Sequence, residues 1–271
     1  DLNGDVYADV QTTTGELYDS YGFLYGTEDG IETTLSAFSH HVSCAATGGR
    51  LEYTGCPNQG YGDLDGDGIA DLVSFSDTHQ VSILQGGSDW PASGSTLTLP
   101  SSFYGGHGMI AVVPDVTGDG YPDAMIGDNM ANGDPDPFTG AFRWSAGKVY
   151  LFEGGSHDGA PALMNGADVA TSVDHAVVQF HGVGSNYGYS LTSLDIDADE
   201  HPDLGIGGRY QSTFWYGPID PMGGVYMASE ADAFLGPGFA MTSPGNFDND
   251  EHGFEDTWLG GESLYLFHGA P

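Results

Sequence analysis

A nine-residue acidic pattern, D-x-[DNT]-x-D-x-x-x-D, recurs along the chain. Clean copies run from Asp1 to Asp9 (DLNGDVYAD), Asp63 to Asp71 (DLDGDGIAD), Asp115 to Asp123 (DVTGDGYPD) and Asp195 to Asp203 (DIDADEHPD). A fifth, imperfect copy opens at Asn246, continues through Asp248 and Asp250, and reaches its last acid at Asp256 after two extra residues. The starts lie 62, 52, 80 and 51 residues apart, so the chain reads as one repeat domain over residues 1–271.

The spacing carries a chemistry. Side chains at alternate positions of a tight loop converge on one point, and a last carboxylate four residues on closes the shell. Calcium suits such a shell, because it takes six to eight hard oxygens at about 2.3–2.6 Å and accepts irregular geometry and backbone carbonyls. The expected ligands are Asp1, Asn3, Asp5 and Asp9; Asp63, Asp65, Asp67 and Asp71; Asp115, Thr117, Asp119 and Asp123; Asp195, Asp197, Asp199 and Asp203; and Asn246, Asp248, Asp250 and Asp256. Backbone carbonyls of Tyr7, Ile69, Tyr121 and His201 would join them, with His252 in the fifth loop, for four to five Ca2+ ions. Acidic turns can be merely solvated, but five copies at comparable spacing exceed chance. An EF-hand is excluded, since its twelfth position needs a bidentate Glu and here holds Thr12, Ser74, Ile126 and Ile206.

After the last acid of four copies comes a short apolar-rich stretch: Asp71-Leu-Val-Ser-Phe, Asp123-Ala-Met-Ile-Gly, Asp203-Leu-Gly-Ile-Gly and Asp256-Thr-Trp-Leu-Gly. A second element follows in each unit, at Gly22 (GFLYG), Val81 (VSILQG), Val149 (VYLFEG), Val225 (VYMA) and Leu264 (LYLFHG). Residues 96–99, 109–113, 176–180 and 189–194 complete the units. Alternation and turn signals without a capped helical period predict an all-β protein of four-stranded units, each about fifty to sixty residues.

A calcium loop between an inner and a second strand, followed by a strand of Val-Tyr-Leu-Phe type, resembles the FG-GAP repeats of the integrin alpha-subunit β-propeller and its bacterial relatives. The fourth unit is closest, with Tyr187-Gly-Tyr-Ser-Leu191 similar to the family's Phe-Gly-Tyr-Ser inner strand. The family's "GAP" tripeptide is degraded to Ile-Gly-Asp at 126–128 and Ile-Gly-Gly at 206–208. The resemblance implies a β-propeller of about five four-stranded blades, or a five-repeat part of a larger, for example seven-bladed, one. The chain starts without Met, at a calcium loop, and stops after a third-strand motif. The first inner and last outer strands are therefore expected from upstream residues, from a neighbouring chain, or not at all.

Composition narrows the partners. With 39 Asp+Glu against four cations (Arg50, Arg143, Lys148 and Arg209) the formal charge is −35, which argues against nucleic acid and anionic lipid. No apolar run is long enough to span a membrane, and no signal peptide opens the chain. Cys44 and Cys56 are expected to form a disulfide worth roughly 3 kcal/mol, the alternative being a reduced pair. No nucleophile elbow, P-loop, zincin or dinucleotide motif is present. The histidines form no convincing cluster: His40–His41 reads as a loop before Cys44, and His107, His175, His181 and His268 fall near predicted strands.

The expected function is a calcium-stabilised, extracellular or cell-surface propeller without catalysis. It would serve adhesion, binding or assembly, with a protein or polysaccharide partner or with its own copies through open blade edges. A lectin or a polysaccharide lyase on the same scaffold is the alternative. The aromatic residues of the 129–146 insertion, Phe138, Phe142 and Trp144 beside Asp134 and Asp136, and Phe214, Trp215 and Tyr216 in the fourth unit are expected to cover the edges of neighbouring blades. The competing reading is that they form protruding contact loops.

Overall fold

The computed structural model describes residues 59–77, 79–87, 95–100, 109–133, 143–155, 163, 172–182, 186–210, 212–221 and 224–235, with Glu28 and the strands at 10–14, 20–24, 40–43, 240–245, 256–260 and 264–267. These residues are all-β, interrupted by two 3-10 turns, Val173–His175 and Ala228–Glu230. Cys44, Cys56, Phe138, Phe142, His107 and His268 lie outside the described residues.

Five sheets follow one another along the chain. The first holds β1 (Val10–Thr14), β2 (Ser20–Leu24) and β3 (His40–Ser43). The second holds β4 (Gln59–Gly62), β5 (Asp71–Asp77), β6 (Gln80–Leu84) and β7 (Ser95–Thr98), and the third β8 (Met109–Val113), β9 (Asp123–Asp128), β10 (Lys148–Phe152) and β11 (Val178–His181). The fourth is built from β12 (Ser190–Leu194), β13 (Asp203–Gly207), β14 (Ser212–Trp215) and, after an intervening β15 (Gly224–Met227), β16 (Ala233–Leu235). The last holds β17 (Ala240–Gly245), β18 (Asp256–Gly260) and β19 (Leu264–Phe267). Successive strands of each sheet pair antiparallel. The leading strands β4, β8, β12 and β17 contact one another in that order, so the last four sheets stand side by side.

Period-two alternation explains how each sheet serves two neighbours. On β9 and β10, Ala124, Ile126, Tyr150 and Phe152 face the second sheet, where they pack with Val73, Val81 and Ile83. The intervening Met125, Val149 and Leu151 pack with Leu204, Ile206 and Trp215 of the fourth sheet. Phe152, Phe180 and Phe214 are fully buried, and burying one such ring contributes about 1.5–3 kcal/mol. Because both faces are covered, β9 is a continuous buried run rather than an alternating one.

Two expectations are corrected. The third strand of the fourth sheet is Ser212–Trp215, not the stretch at Val225. Gly224–Met227 instead runs parallel to β11, adding a fifth strand to the third sheet. Phe214 and Trp215 are buried on opposite faces of a central strand, whereas Val225 is half exposed at an edge. Trp215 thus packs against the third sheet, as expected of a ring that covers a neighbouring blade, and Phe214 packs with Leu194, Ile196, Ala233 and Leu235 of its own unit; of the three, Tyr216 alone keeps substantial exposure. Likewise His40 and His41 belong to β3, paired with Phe23 and Gly22, rather than to a loop. His181 is buried on β11, its Nε2 3.2 Å from Gln179 Oε1.

The parallel addition is one of a pair. Ser172 forms a parallel bridge with Thr98 at the end of β7, as Met227 does with His181 at the end of β11. In both places a 3-10 turn follows at once, and its first residue, Val173 or Ala228, is buried between the sheets. The segment leading into each outer strand thus laces its sheet to the preceding one.

Candidate metal centre

The acidic loops 63–71, 115–123 and 195–203 each join the first strand of a sheet to the second. Their local folding comes from the acids themselves, since Asp side chains capture backbone N–H groups a few residues on. Asp63 Oδ2 accepts from Gly68 N at 2.8 Å. Asp115 accepts from Gly118, Asp119 and Gly120 N at 2.6, 3.0 and 2.7 Å. Asp195 accepts from Asp199 and Glu200 N at 3.2 and 3.1 Å. At the fifth position Asp67, Asp119 and Asp199 accept from the N–H of Ile69, Tyr121 and His201 at 2.8, 2.7 and 2.8 Å.

The tight path needs left-handed backbone at the fourth and sixth positions. Gly66 and Gly68 supply it at φ 77° and 89°, and Gly118 and Gly120 at 82° and 97°, while in the 195–203 loop Ala198 and Glu200 adopt 58° and 71°.

The ninth-position acid ties each loop to its sheet. Asp71 Oδ2 accepts from Leu64 N at 2.8 Å and Oδ1 from Gly86 N at 2.9 Å. Asp203 repeats this with Ile196 N at 2.8 Å and Gly217 N at 2.9 Å. Asp123 accepts from Val116 and Thr117 N at 2.9 and 3.0 Å. All three are fully buried. Burial, above all, pushes the carboxyls of Asp71, Asp123 and Asp203 up to about 7, 8 and 6, and neighbouring loop acids add to it against the pull of the backbone N–H groups. Asp197 is raised too, by desolvation first and then by Asp199 and Asp195.

In two loops three carboxylates converge. Asp63, Asp65 and Asp71 offer oxygens within 4.8 Å of one another, as do Asp195, Asp197 and Asp203. Asp63 Oδ1 and Asp197 Oδ1 are buried oxygens that take no hydrogen bond. Buried acceptors without donors are costly, and carboxylates gathered this closely repel one another; a divalent cation answers both. This all-oxygen set fits calcium. In the middle loop Thr117 stands in the third position and its hydroxyl donates to Asp123 Oδ1 at 3.3 Å, and no such trio forms there among the described residues.

The expected ligands Asp67, Asp119 and Asp199 are in their loops but outside these trios, engaged with the seventh-position N–H. Asp1, Asn3, Asp5, Tyr7, Asp9, Asn246, Asp248, Asp250 and His252 lie outside the described residues, and Asp256 is placed only as the first residue of β18.

Residues beyond the pattern also serve these loops. Gln85 Nε2 donates to Asp65 Oδ2 at 2.6 Å, and the Tyr216 phenol is raised by burial and then by Asp197, Asp203 and Asp232. Both directly precede the glycine, Gly86 or Gly217, that donates to the ninth-position acid. That glycine after the third strand was the available signal, and in the fourth unit it marks Trp215-Tyr216-Gly217 as the true copy.

Among the described residues no helix is long and apolar enough to cross a membrane. No curated protein matches the chain. Residues 63–126, from the first described acidic loop to the middle of β9, match the family model of the FG-GAP-like repeat. Residues 63–126 are thus an FG-GAP-like repeat, the repeat that the acidic spacing resembles.

Proposed function

We propose that this protein is a calcium-stabilised β-propeller module that acts outside the cell or at its surface, without catalysis, in binding, adhesion or assembly. The observation that carries the calcium reading is the pair of converging carboxylate trios with buried, hydrogen-bond-free oxygens at Asp63 and Asp197. Their neighbours are already arranged: the ninth acids are held by backbone N–H groups, so the ligand set is pre-organised for a cation. Side-by-side sheets joined through their leading strands support the propeller reading.

The non-catalytic reading rests on the composition. A lyase acting on uronates would need cationic groups at its site, and the chain has only four Lys+Arg. A lectin is the second reading, favoured by the exposure of Trp144. Thermal melts with calcium and with chelator, together with a count of bound metal, test the proposal. Stabilisation by calcium with several ions per chain is expected; identical melts and no bound ion would defeat it.

A further inference from the structure

We infer that Gln85 is a positioning residue for the cation of the 63–71 loop, and that by holding Asp65 it makes this site take calcium more tightly than the 195–203 site; the inference rests on the calcium reading above and ranks its sites. Gln85 is the first residue after β6, as Glu153 follows β10 and Tyr216 follows β14. These third strands pair with the second strands in one register: Leu84 lies opposite Leu72, Phe152 opposite Ala124 and Trp215 opposite Leu204. One step on, Gln85, Glu153 and Tyr216 each come across from the ninth-position acid, Asp71, Asp123 or Asp203.

The glycine after each of them packs directly on its loop. A Cβ on Gly86, Gly154 or Gly217 would collide with the carbonyl oxygen of Ala70, Pro122 or Pro202, the eighth residue of the respective loop. This close approach fixes where the preceding side chain starts. In the second sheet that side chain reaches the loop, and Gln85 Nε2 donates to Asp65 Oδ2 at 2.6 Å.

Two adjacent residues thus hold two of the three converging acids from outside the loop: the Gln85 amide holds Asp65, and the Gly86 N–H holds Asp71 at 2.9 Å. Asp67 N donates to the other Asp65 oxygen at 3.2 Å, so both oxygens of the third-position acid are directed. In the 195–203 loop Gly217 N holds Asp203 in the same way. Residue 216 is a tyrosine there, and the third-position acid, Asp197, itself has the buried oxygen that takes no hydrogen bond. In the third sheet the third position is Thr117 and the residue after the strand is the buried Glu153. An amide goes with an acid in one sheet and an acid with a hydroxyl in the next, so the two positions change together.

Carboxylates gathered for a cation repel one another, and a loosely held one must be ordered when the ion arrives. A neutral amide donor orders Asp65 beforehand without cancelling its charge, as an ammonium group would. Hydrogen-bond partners of ligating carboxylates typically carry a factor of about 10–100 in metal affinity. The exchange of Gln85 for Tyr216 therefore separates the two sites.

The test is calorimetric titration of the full chain with calcium after chelator treatment, alongside melts in calcium and in chelator. Asp65→Ala should remove a tighter binding step than Asp197→Ala does. Gln85→Met, which keeps the length and removes the donor, should weaken the step lost in Asp65→Ala by about tenfold and change nothing further in the Asp65→Ala background. Its melt should fall further in calcium than in chelator, which a merely structural bond would not produce. Tyr216→Gln, which brings the amide to the other loop, should tighten the step lost in Asp197→Ala several-fold. The inference is refuted if Gln85→Met titrates as the parent does, if its effect persists in the Asp65→Ala background, if its melt falls equally with and without calcium, if Tyr216→Gln leaves its step unchanged or weaker, or if Asp197→Ala removes the tighter step. A parent chain that binds no calcium defeats the calcium reading itself, whereas calcium binding that ignores Gln85→Met overturns this inference alone.

Discussion

Gly155 donates its backbone N–H to the carbonyl of Leu64 at 2.6 Å, tying the third sheet to the acidic loop of the second. One sheet later Ile219 N donates to Val116 O at 2.7 Å. Leu64 and Val116 also give their own N–H groups to Asp71 and Asp123. One residue in each of these loops thus links the candidate cation shell to the neighbouring sheet, and loop order and sheet packing are coupled.

Metal removal should therefore loosen the whole described assembly rather than single loops. With free calcium about tenfold above the dissociation constant, each occupied site adds about 1.4 kcal/mol, and five sites about 7. Calorimetry should show one transition that moves down sharply in chelator and returns on adding calcium. A melt that ignores both reagents would sink this coupling.

Asp65 and Asp71 should separate ion binding from folding. Asp71→Ala strips the acceptor from two buried N–H groups, Leu64 N and Gly86 N, at about 1–3 kcal/mol each, with or without calcium. Asp65→Ala should cost stability chiefly in calcium and lower the metal count by one. Equal losses for both variants in chelator would contradict this division.

The 195–203 loop should be improvable. Ala198 and Glu200 hold left-handed backbone where the other described loops have glycine, a conformation costing an L-residue about 1–2 kcal/mol. Ala198→Gly and Glu200→Gly are expected to stabilise by up to about 1 kcal/mol each once unfolded-chain entropy is counted. Conversely, a Cβ at Gly68 or Gly120 would meet nothing within 4 Å, so Ala there should destabilise through φ alone. Denaturant midpoints moving the opposite way would reject the argument.

Asp128 offers a pH signature away from the loops. Burial, opposed by the N–H groups of Met130 and Ala131 and by Lys148, pushes its carboxyl from 3.8 up to about 6. The folded chain holds this proton where the unfolded chain has released it. Its contribution is complete below about 3.8 and is lost as pH rises through about 6. Asp128→Asn should raise stability by about 1–3 kcal/mol above neutrality and change little at acid pH, below the unfolded-state value. A pH-independent difference between the two melts would refute this assignment.

Much of the architecture was legible from local pattern. The acidic spacing marked the turns, and the apolar runs after Asp71, Asp123 and Asp203 are strands β5, β9 and β13. Where pattern failed, at Val225 and at His40–His41, a short alternating or polar segment had no local mark of its pairing. The convergence of Asp63, Asp65 and Asp71 was anticipated, but Gln85 and Gly86 were not, because they meet the loop from across a strand.

What the sequence determined by itself is the local chemistry: carboxylates spaced to fold a loop onto its own N–H groups, and period-two runs that form strands. Only the tertiary structure decided which edge Gly224–Met227 joins, which way Phe214 and Trp215 face, and that Leu64 meets Gly155. The physical reason is that backbone N–H and C=O groups are nearly the same in every residue. Their long-range partners are selected by how whole sheets stack, and not by any one side chain.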